Sequence, residues 1–130
     1  IAQFPGQGIC VWGQKTLQRR ASALDRVNVR RLLITVKKFI ASSARYLVFE
    51  QNVEATRNRF LNIVNPYLAN VQERSGLYAF RVIMDETNNT PDVIDRNILV
   101  GQLYLQPTKT AEFIKLEFNI LPTGATFPGA

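Results

Sequence analysis

Residues 25–42 read DRVNVRRLLITVKKFIAS, and their spacing decides the fold class. Val29, Leu32, Leu33, Val36, Phe39 and Ile40 recur at the i, i+3, i+4, i+7 intervals of one apolar helix face. Arg26, Arg30, Arg31, Lys37 and Lys38 fall on the other side, and Asp25 is a plausible N-cap. A helix is therefore predicted over residues 25–42, buried on one face and basic on the other.

Upstream, Phe4-Pro5-Gly6-Gln7-Gly8 is turn-like and leads into a short apolar run at residues 9–12, read as a buried strand. Downstream, residues 45–50 (RYLVFE) hold four consecutive apolar residues, which predicts a strand buried on both faces. Asn52 then offers an N-cap for a second helical pattern carried by Val53, Phe60, Ile63, Val64, Tyr67, Leu68 and Val71. Pro66 interrupts it, so a break is predicted near Asn65, with a further segment ending at Gly76. Residues 78–84 and 98–106 read as strands, the latter apolar on both faces. Thr90-Pro91 caps a helical turn through Asp95, and residues 107–110 form a turn. Residues 112–121 alternate, with Ile114, Leu116, Phe118 and Ile120 on one face and Lys115, Glu117 and Asn119 on the other. Residues 122–130 have no core-forming pattern. The order β-α-β-α-β-β-β predicts an α+β fold, two to three helices against a mixed β-sheet.

The 130 residues suit one domain. No apolar run approaches the ~18–20 residues of a membrane span, and no signal peptide is visible. The opening at Ile1 suggests a piece of a longer polypeptide. Histidine is absent, which removes imidazole acid–base chemistry, Ser-His-Asp catalysis and most zinc sites. Cys10 stands alone in an apolar run, so it reads as a small buried hydrophobe, in keeping with a cytosolic setting. There is no Walker A or G-x-G-x-x-G motif, and Gly6-Gln7-Gly8 precedes a strand rather than a helix. Asp85, Glu86, Asp92 and Asp95, with Asn88 and Asn89, offer oxygen ligands of the kind calcium takes. Their spacing is not that of a calcium loop, and the same residues favour turns for local reasons, which is the preferred reading. No catalytic residue, cofactor or metal is expected, and the chain is not read as an enzyme.

The net charge of +6 is lopsided. Residues 15–59 carry eleven basic against three acidic residues, whereas residues 60–130 carry five against seven. Such a sector suits an acidic protein face, an anionic membrane or nucleic acid. A basic nucleic-acid-binding domain is the alternative reading, although no RNP-like motif is present.

Several segments resemble one family. Residues 8–17 (GICVWGQKTL) resemble the "G-x-x-x-W-G-x-x-T" start of the C-terminal domain of contractile phage tail sheath proteins. Residues 25–32 (DRVNVRRL) resemble that family's "D-R-I-N-V-R-R-L" helix, and residues 45–50 its following strand. Residues 85–91 (DETNNTP) and 94–97 (IDRN) are similar to the form found in large contractile myophages. Related sheaths occur in R-type bacteriocins and type VI secretion machines.

The resemblance implies a structural subunit that polymerises around an inner tube and contracts to drive it through the host envelope. Residues 1–121 would be the tube-proximal core domain, and residues 122–130 the start of a C-terminal arm or tail. The N-terminal arm and outer domains would lie outside this chain. The implied partners are identical subunits in stacked six-fold rings, the tube protein, and a baseplate and tail terminator at the ends. Nucleic acid and direct membrane insertion are not expected. The location would be the virion tail, assembled in the host cytoplasm.

Two sets of site residues follow. Ile114, Leu116, Phe118 and Ile120 would form an inter-subunit strand. Tube contacts would come from either helix: Arg31 and Lys38 on the first, or Arg57 and Arg59 on the second, where Arg74 also lies. Arg30, at the border of the apolar face, suits a half-buried pair with the acids of the 85–95 loop.

Overall fold

The computed structural model describes residues 1–126 and 129; of the expected tail 122–130, Phe127, Pro128 and Ala130 lie outside the described residues. A hairpin opens the chain, β1 (Ala2–Phe4) pairing antiparallel with β2 (Gly8–Cys10). Its turn follows from Pro5-Gly6. Proline fixes the first central position, and glycine takes a φ of +77° at the second, closed by the Gln7 N–H donating to the Phe4 carbonyl at 3.2 Å. The strand is not buried as expected: Ile9, Val11 and Trp12 are all exposed, and Cys10 is half-buried.

The first helix, α1, spans Val27–Ala44, within two residues of the predicted bounds. Asp25 does not cap it. It ends a 3-10 turn, Ala23–Asp25, whose own cap is the Ser22 hydroxyl accepting from the Leu24 N–H. Val29 and Val36 are buried, and Leu32, Leu33, Phe39 and Ile40 are half-buried, so the helix face stands as read. It packs on the second helix, α2 (Glu54–Glu73), and shares the core with β3 through Leu77. Phe39 and Tyr67 stack between the helices with centroids 3.8 Å apart.

α2 runs through Pro66 without a break. Proline leaves the Asn62 carbonyl without its i+4 donor. Both residues lie on the exposed face, where water can take that carbonyl, while Val64 and Leu68 on the opposite face are fully buried. Burial of that face outweighs one lost hydrogen bond. Asn52 does not cap α2 either; the N-cap is Val53, with no side-chain bond. The C-terminus is a Schellman closure. Ser75 takes a φ of +63° and donates to the Gln72 carbonyl at 3.0 Å, and Gly76 donates to Val71 at 2.9 Å. A Cβ on Gly76 would meet Val71 Cγ1 at 2.8 Å, so this site needs glycine for space.

The expected strand at residues 45–50 is instead a 3-10 turn, Arg45–Leu47, that winds on from α1. Leu47 is buried, but Tyr46, Val48 and Phe49 are exposed, and Phe49 sits at a φ of +71°. A run of apolar residues becomes a buried strand only beside pairing partners, and among the described residues it has none. The strand β3 (Leu77–Ile83) pairs antiparallel with β4 (Gln102–Pro107), with an irregularity at Tyr78 whose carbonyl accepts from Gln72 Nε2 at 2.8 Å. β4 is shorter than predicted and buries one face only, through Leu103, Leu105 and Pro107. The expected single mixed sheet is therefore two separate antiparallel pairs, still within an α+β fold. α2 packs on β3, and the core gathers Val36, Leu47, Phe60, Val64, Leu68, Leu77 and Met84.

The connection between β3 and β4 holds the short helix α3 (Pro91–Asp95) where expected. Its acids do turn chemistry. Asp85 accepts from the Thr87 N–H at 2.9 Å and from the Thr87 hydroxyl, and Asn88 Oδ1 accepts from the Asp85 N–H at 3.0 Å. Asn89, 2 % exposed, pairs with the backbone of Val100 as a neighbouring strand would, donating to its carbonyl and accepting from its N–H, both at 2.9 Å. Asn52 Nδ2 donates to Asn89 Oδ1 at 3.3 Å and to the Ile98 carbonyl at 3.0 Å, while its Oδ1 accepts from Arg57 at 2.9 Å. Arg57 is only 6 % exposed. It is thus an internal strut and not a surface cation, and the buried arginine foreseen at Arg30 is Arg57, since Arg30 is exposed.

The Thr87 hydroxyl, then its N–H, holds the Asp85 carboxyl below its ordinary value of 3.8; desolvation opposes this, and the Asn88 N–H and the Arg57 charge add to the lowering. A carboxyl with a lowered folded pKa stabilises the fold above the unfolded value and loses that contribution as pH falls through the folded one. The stability difference between wild type and Asp85→Asn should therefore be present at neutral pH and shrink as pH falls below the ordinary aspartate range, as followed by urea denaturation at stepped pH. Asn89→Ala leaves the N–H and carbonyl of the half-buried Val100 without their partner, at up to about 1–3 kcal/mol for each group that water does not reach. A loss of about 2 kcal/mol or more is expected in the same assay, against near-neutral effects for the exposed Asn119→Ala.

Candidate functional site

The surfaces that remain open are those a partner would complete. The first is the segment 112–121. It carries the expected alternation but no secondary structure. Ile114 is 82 % exposed, Leu116 71 %, Phe118 85 % and Ile120 97 %. Among the described residues, no backbone group from 109 to 121 meets a backbone partner. The sequence has a strand's pattern, and the described residues supply nothing that it pairs with. On the polar side Lys115 and Glu117 pair at 2.6 Å.

The root of this segment is fixed. The Thr108 hydroxyl donates to the Ser75 carbonyl at 2.8 Å, and Asn28 Nδ2 to the Thr108 carbonyl at 3.4 Å. Gln14 donates to the Thr110 hydroxyl. Arg26 grips Glu112 through both nitrogens of its fork, Nε to Oε1 at 2.6 Å and Nη2 to Oε2 at 3.2 Å. A cleft of about 650 Å³ opens here between residues 21–29 and 107–113. Of its charged side chains, Asp25, Arg26 and Glu112 are paired with one another, and Lys109 meets no carboxylate among the described residues.

The second surface is the sheet edge. Each two-stranded sheet leaves one side of each strand unpaired within the chain, which is the template an added strand needs. The third is basic. Arg30, Arg31, Lys37 and Lys38 are exposed along α1, and none meets a carboxylate within 4.0 Å among the described residues. Arg59 is exposed too but pairs with Glu50 at 3.4 Å. The structure thus brings Arg31 and Lys38 to one open face, leaves Arg59 partly engaged and places Arg57 inside. The exposed aromatics Trp12, Tyr46 and Phe49 form further open surface. Sequence reasoning put them in buried strands, because an apolar run looks the same whether its cover lies inside the chain or outside it.

Among the described residues, no group of three or more metal-ligating side chains converges, and no helix is long and apolar enough to cross a membrane. Asp92 is engaged by Arg96 at 3.0 Å. The roles of Asn52, Asn89 and the Arg26–Glu112 pair were not foreseen; each links positions too far apart in sequence for local spacing to reveal.

The model of the family "Phage tail sheath C-terminal domain" matches residues 20–121. The tail sheath protein of Vibrio phage KVP40 is 46% identical over 127 residues, 98% of this chain and 19% of that protein. The tail sheath protein of Enterobacteria phage T4 is 42% identical over 122 residues, 94% of this chain and 18% of that protein. This chain therefore spans about a fifth of the length of these relatives. Among solved structures, the contracted sheath complex of the extracellular contractile injection system PVC is similar, with a TM-score of 0.83, 28% identity, and coverage of 92% of this chain and 35% of that one. A chain of the six-fold symmetrised baseplate of the anti-feeding prophage is similar at a TM-score of 0.82 and 26% identity, covering 92% of this chain and 35% of that one. With the α+β core, the strand-forming segment left unpaired and the residues matched, the chain belongs to the phage tail sheath C-terminal domain family.

Proposed function

We propose that this chain is the core of a structural, non-enzymatic sheath subunit that polymerises around an inner tube and contracts to drive the tube through a host envelope. The observation that carries the reading is segment 112–121, ten residues of clean strand alternation with apolar side chains in solvent. A backbone ladder formed with a second copy would satisfy its polar groups and cover Ile114, Leu116, Phe118 and Ile120. Extended, it reaches about 33 Å at ~3.3 Å per residue, long enough to run the full length of β3 or β4. The partners are identical subunits in stacked six-fold rings, an inner tube protein, and a baseplate and tail terminator at the ends. The setting is the virion tail, after assembly in the host cytoplasm.

Tube docking is assigned to the open basic face of α1, with Arg31 and Lys38 as its contacts and Arg59 as a lesser one. Solvated ion pairs contribute roughly 0–1 kcal/mol each and weaken with salt. Such a grip lets go when a sheath slides over its tube, as a large apolar interface would not.

Two experiments on the full-length subunit test this reading. Leu116→Asp with Phe118→Asp places charge on the apolar face of the expected ladder while touching no core residue. The monomer should melt as wild type does, and polymers seen by sedimentation and negative-stain microscopy should fall at least tenfold; undiminished polymers would remove the strand-pairing reading. Arg31→Glu with Lys38→Glu should impair assembly on an acidic tube, with the wild-type dependence on salt flattened in the variant. Stronger retention of duplex DNA than of tube protein in the same salt titration would favour nucleic-acid binding instead.

A further inference from the structure

We propose that the Arg26–Glu112 ion pair is a releasable latch that sets the direction in which residues 113–121 leave the domain. After β4 the chain descends a series of links: Thr108 to Ser75 and Gly76, Asn28 to Thr108, Gln14 to Thr110 and, last, Arg26 to Glu112. Beyond Glu112, the polar contacts among the described residues are the segment's own, Lys115 with Glu117 and Ala125 with Pro122. The final link to the body of the domain therefore governs the exit angle. A bidentate guanidinium–carboxylate pair fixes orientation as well as distance, because both groups are planar and two parallel bonds resist rotation.

Arg26 is itself held from the backbone side. It stands extended just before α1, at φ −112° and ψ 140°, and bridges Lys15, with Thr16 N–H donating to the Asp25 carbonyl and Val27 N–H to the Gln14 carbonyl, both at 2.8 Å. The guanidinium thus has a fixed base, and Glu112 is the mobile partner.

Three features make the latch releasable. The Arg26 and Glu112 side chains are 28 % and 30 % exposed, so water and salt compete for both charges. Asp25 lies 3.4 Å from Arg26 Nη1, so the arginine keeps a carboxylate partner when Glu112 departs, and release leaves no bare charge on the body. The cleft beside the pair gives residues 108–113 room to swing, and Asn28, which holds the Thr108 carbonyl, keeps a buried Oδ1 without a donor, so this link is not fully satisfied. The consequence follows from the strand-pairing reading: a segment whose root can change angle stays paired with a neighbouring copy while the two bodies move apart. The latch itself does not depend on that pairing.

The test is a distance measurement on the full-length subunit kept unpolymerised, with spin labels at Ser42→Cys on α1 and Asn119→Cys on the segment, in a Cys10→Ser background. Wild type should give one narrow distance distribution, broadened at least twofold in width by 1 M sodium chloride. Arg26→Gln and Glu112→Gln should each broaden it similarly at low salt. The exchange Arg26→Glu with Glu112→Arg should restore part of the narrowing. Unchanged widths in both glutamine variants, or no recovery in the exchange, overturn the proposal. If Arg26→Gln lowers the melting temperature, Glu112→Gln, on the segment itself, decides. Normal polymerisation of the Leu116/Phe118 variant alongside this pattern would remove the pairing reading and leave the latch standing.

Discussion

The rest of the structure depends on the burial of one face of α2. Val64 and Leu68 have no exposed surface, and α1 and β3 both pack on this helix. Burying a leucine or valine contributes about 1.5–3 kcal/mol. That exceeds the cost of the Asn62 carbonyl left to water by Pro66, so the helix stays continuous over 20 residues. Continuity matters for what comes after it. The same helix places Arg57 near its start, within reach of Asn52, and the Schellman closure at its end, whose Ser75 and Gly76 carbonyls receive Thr108. A break at Asn65 would uncouple these two ends. As it is, the polar strut under the β3–β4 connection and the root of segment 112–121 are referred to one rigid rod.

Burial inside the domain is matched by incompleteness outside it. The internal polar groups are closely paired: Asn89 replaces a missing strand neighbour for Val100, Asn52 serves three partners, and Asp85 organises its own turn. Segment 112–121 is the opposite case, a strand in pattern without a ladder. An isolated apolar strand edge is a liability that folded proteins normally blunt with charge, proline or cover. Here Lys115 and Glu117 charge one side only, and the other side is left fully apolar. A sequence that keeps such a segment while pairing its interior polar groups, Asn28 Oδ1 apart, is consistent with a strand meant for another chain.

How much of this was legible beforehand divides along a physical line. Patterns that one segment satisfies by itself were readable: the apolar face of α1, the position and length of β3, the Thr90-Pro91 start of α3 and the turn chemistry at Asp85. Patterns that need a partner were misread. The run at 45–50 carries strand propensity, but with no neighbour in the chain its first residues continue the helical winding of Ala44 instead. Trp12 was placed inside for the same reason. Among the site residues, Arg31 and Lys38 lie on the open face that helical periodicity assigned them, whereas Arg57 lies inside, because its role is set by Asn52 and by a loop some 30 residues away that periodicity does not register.

Charge completes the picture. Four acidic residues of the second half are engaged, Asp92 by Arg96, Glu117 by Lys115, Glu112 by Arg26, and Asp85 by its own turn. The cations of α1 have no such partners, so the surplus of the first half stays on one exposed face and its field extends outward, weakened over the ~8–10 Å screening length of physiological salt. An unmatched ladder and an unmatched charge face call for different kinds of contact. Hydrogen-bonded strand pairing is directional and persists once formed, which suits copies that remain joined. Screened charge attraction is non-directional and tolerates sliding, which suits a surface that must part from its partner. In the proposed assembly the two demands fall on separate parts of the chain, with the Arg26–Glu112 joint between them, so that subunits can stay linked to one another while their hold on the tube is given up.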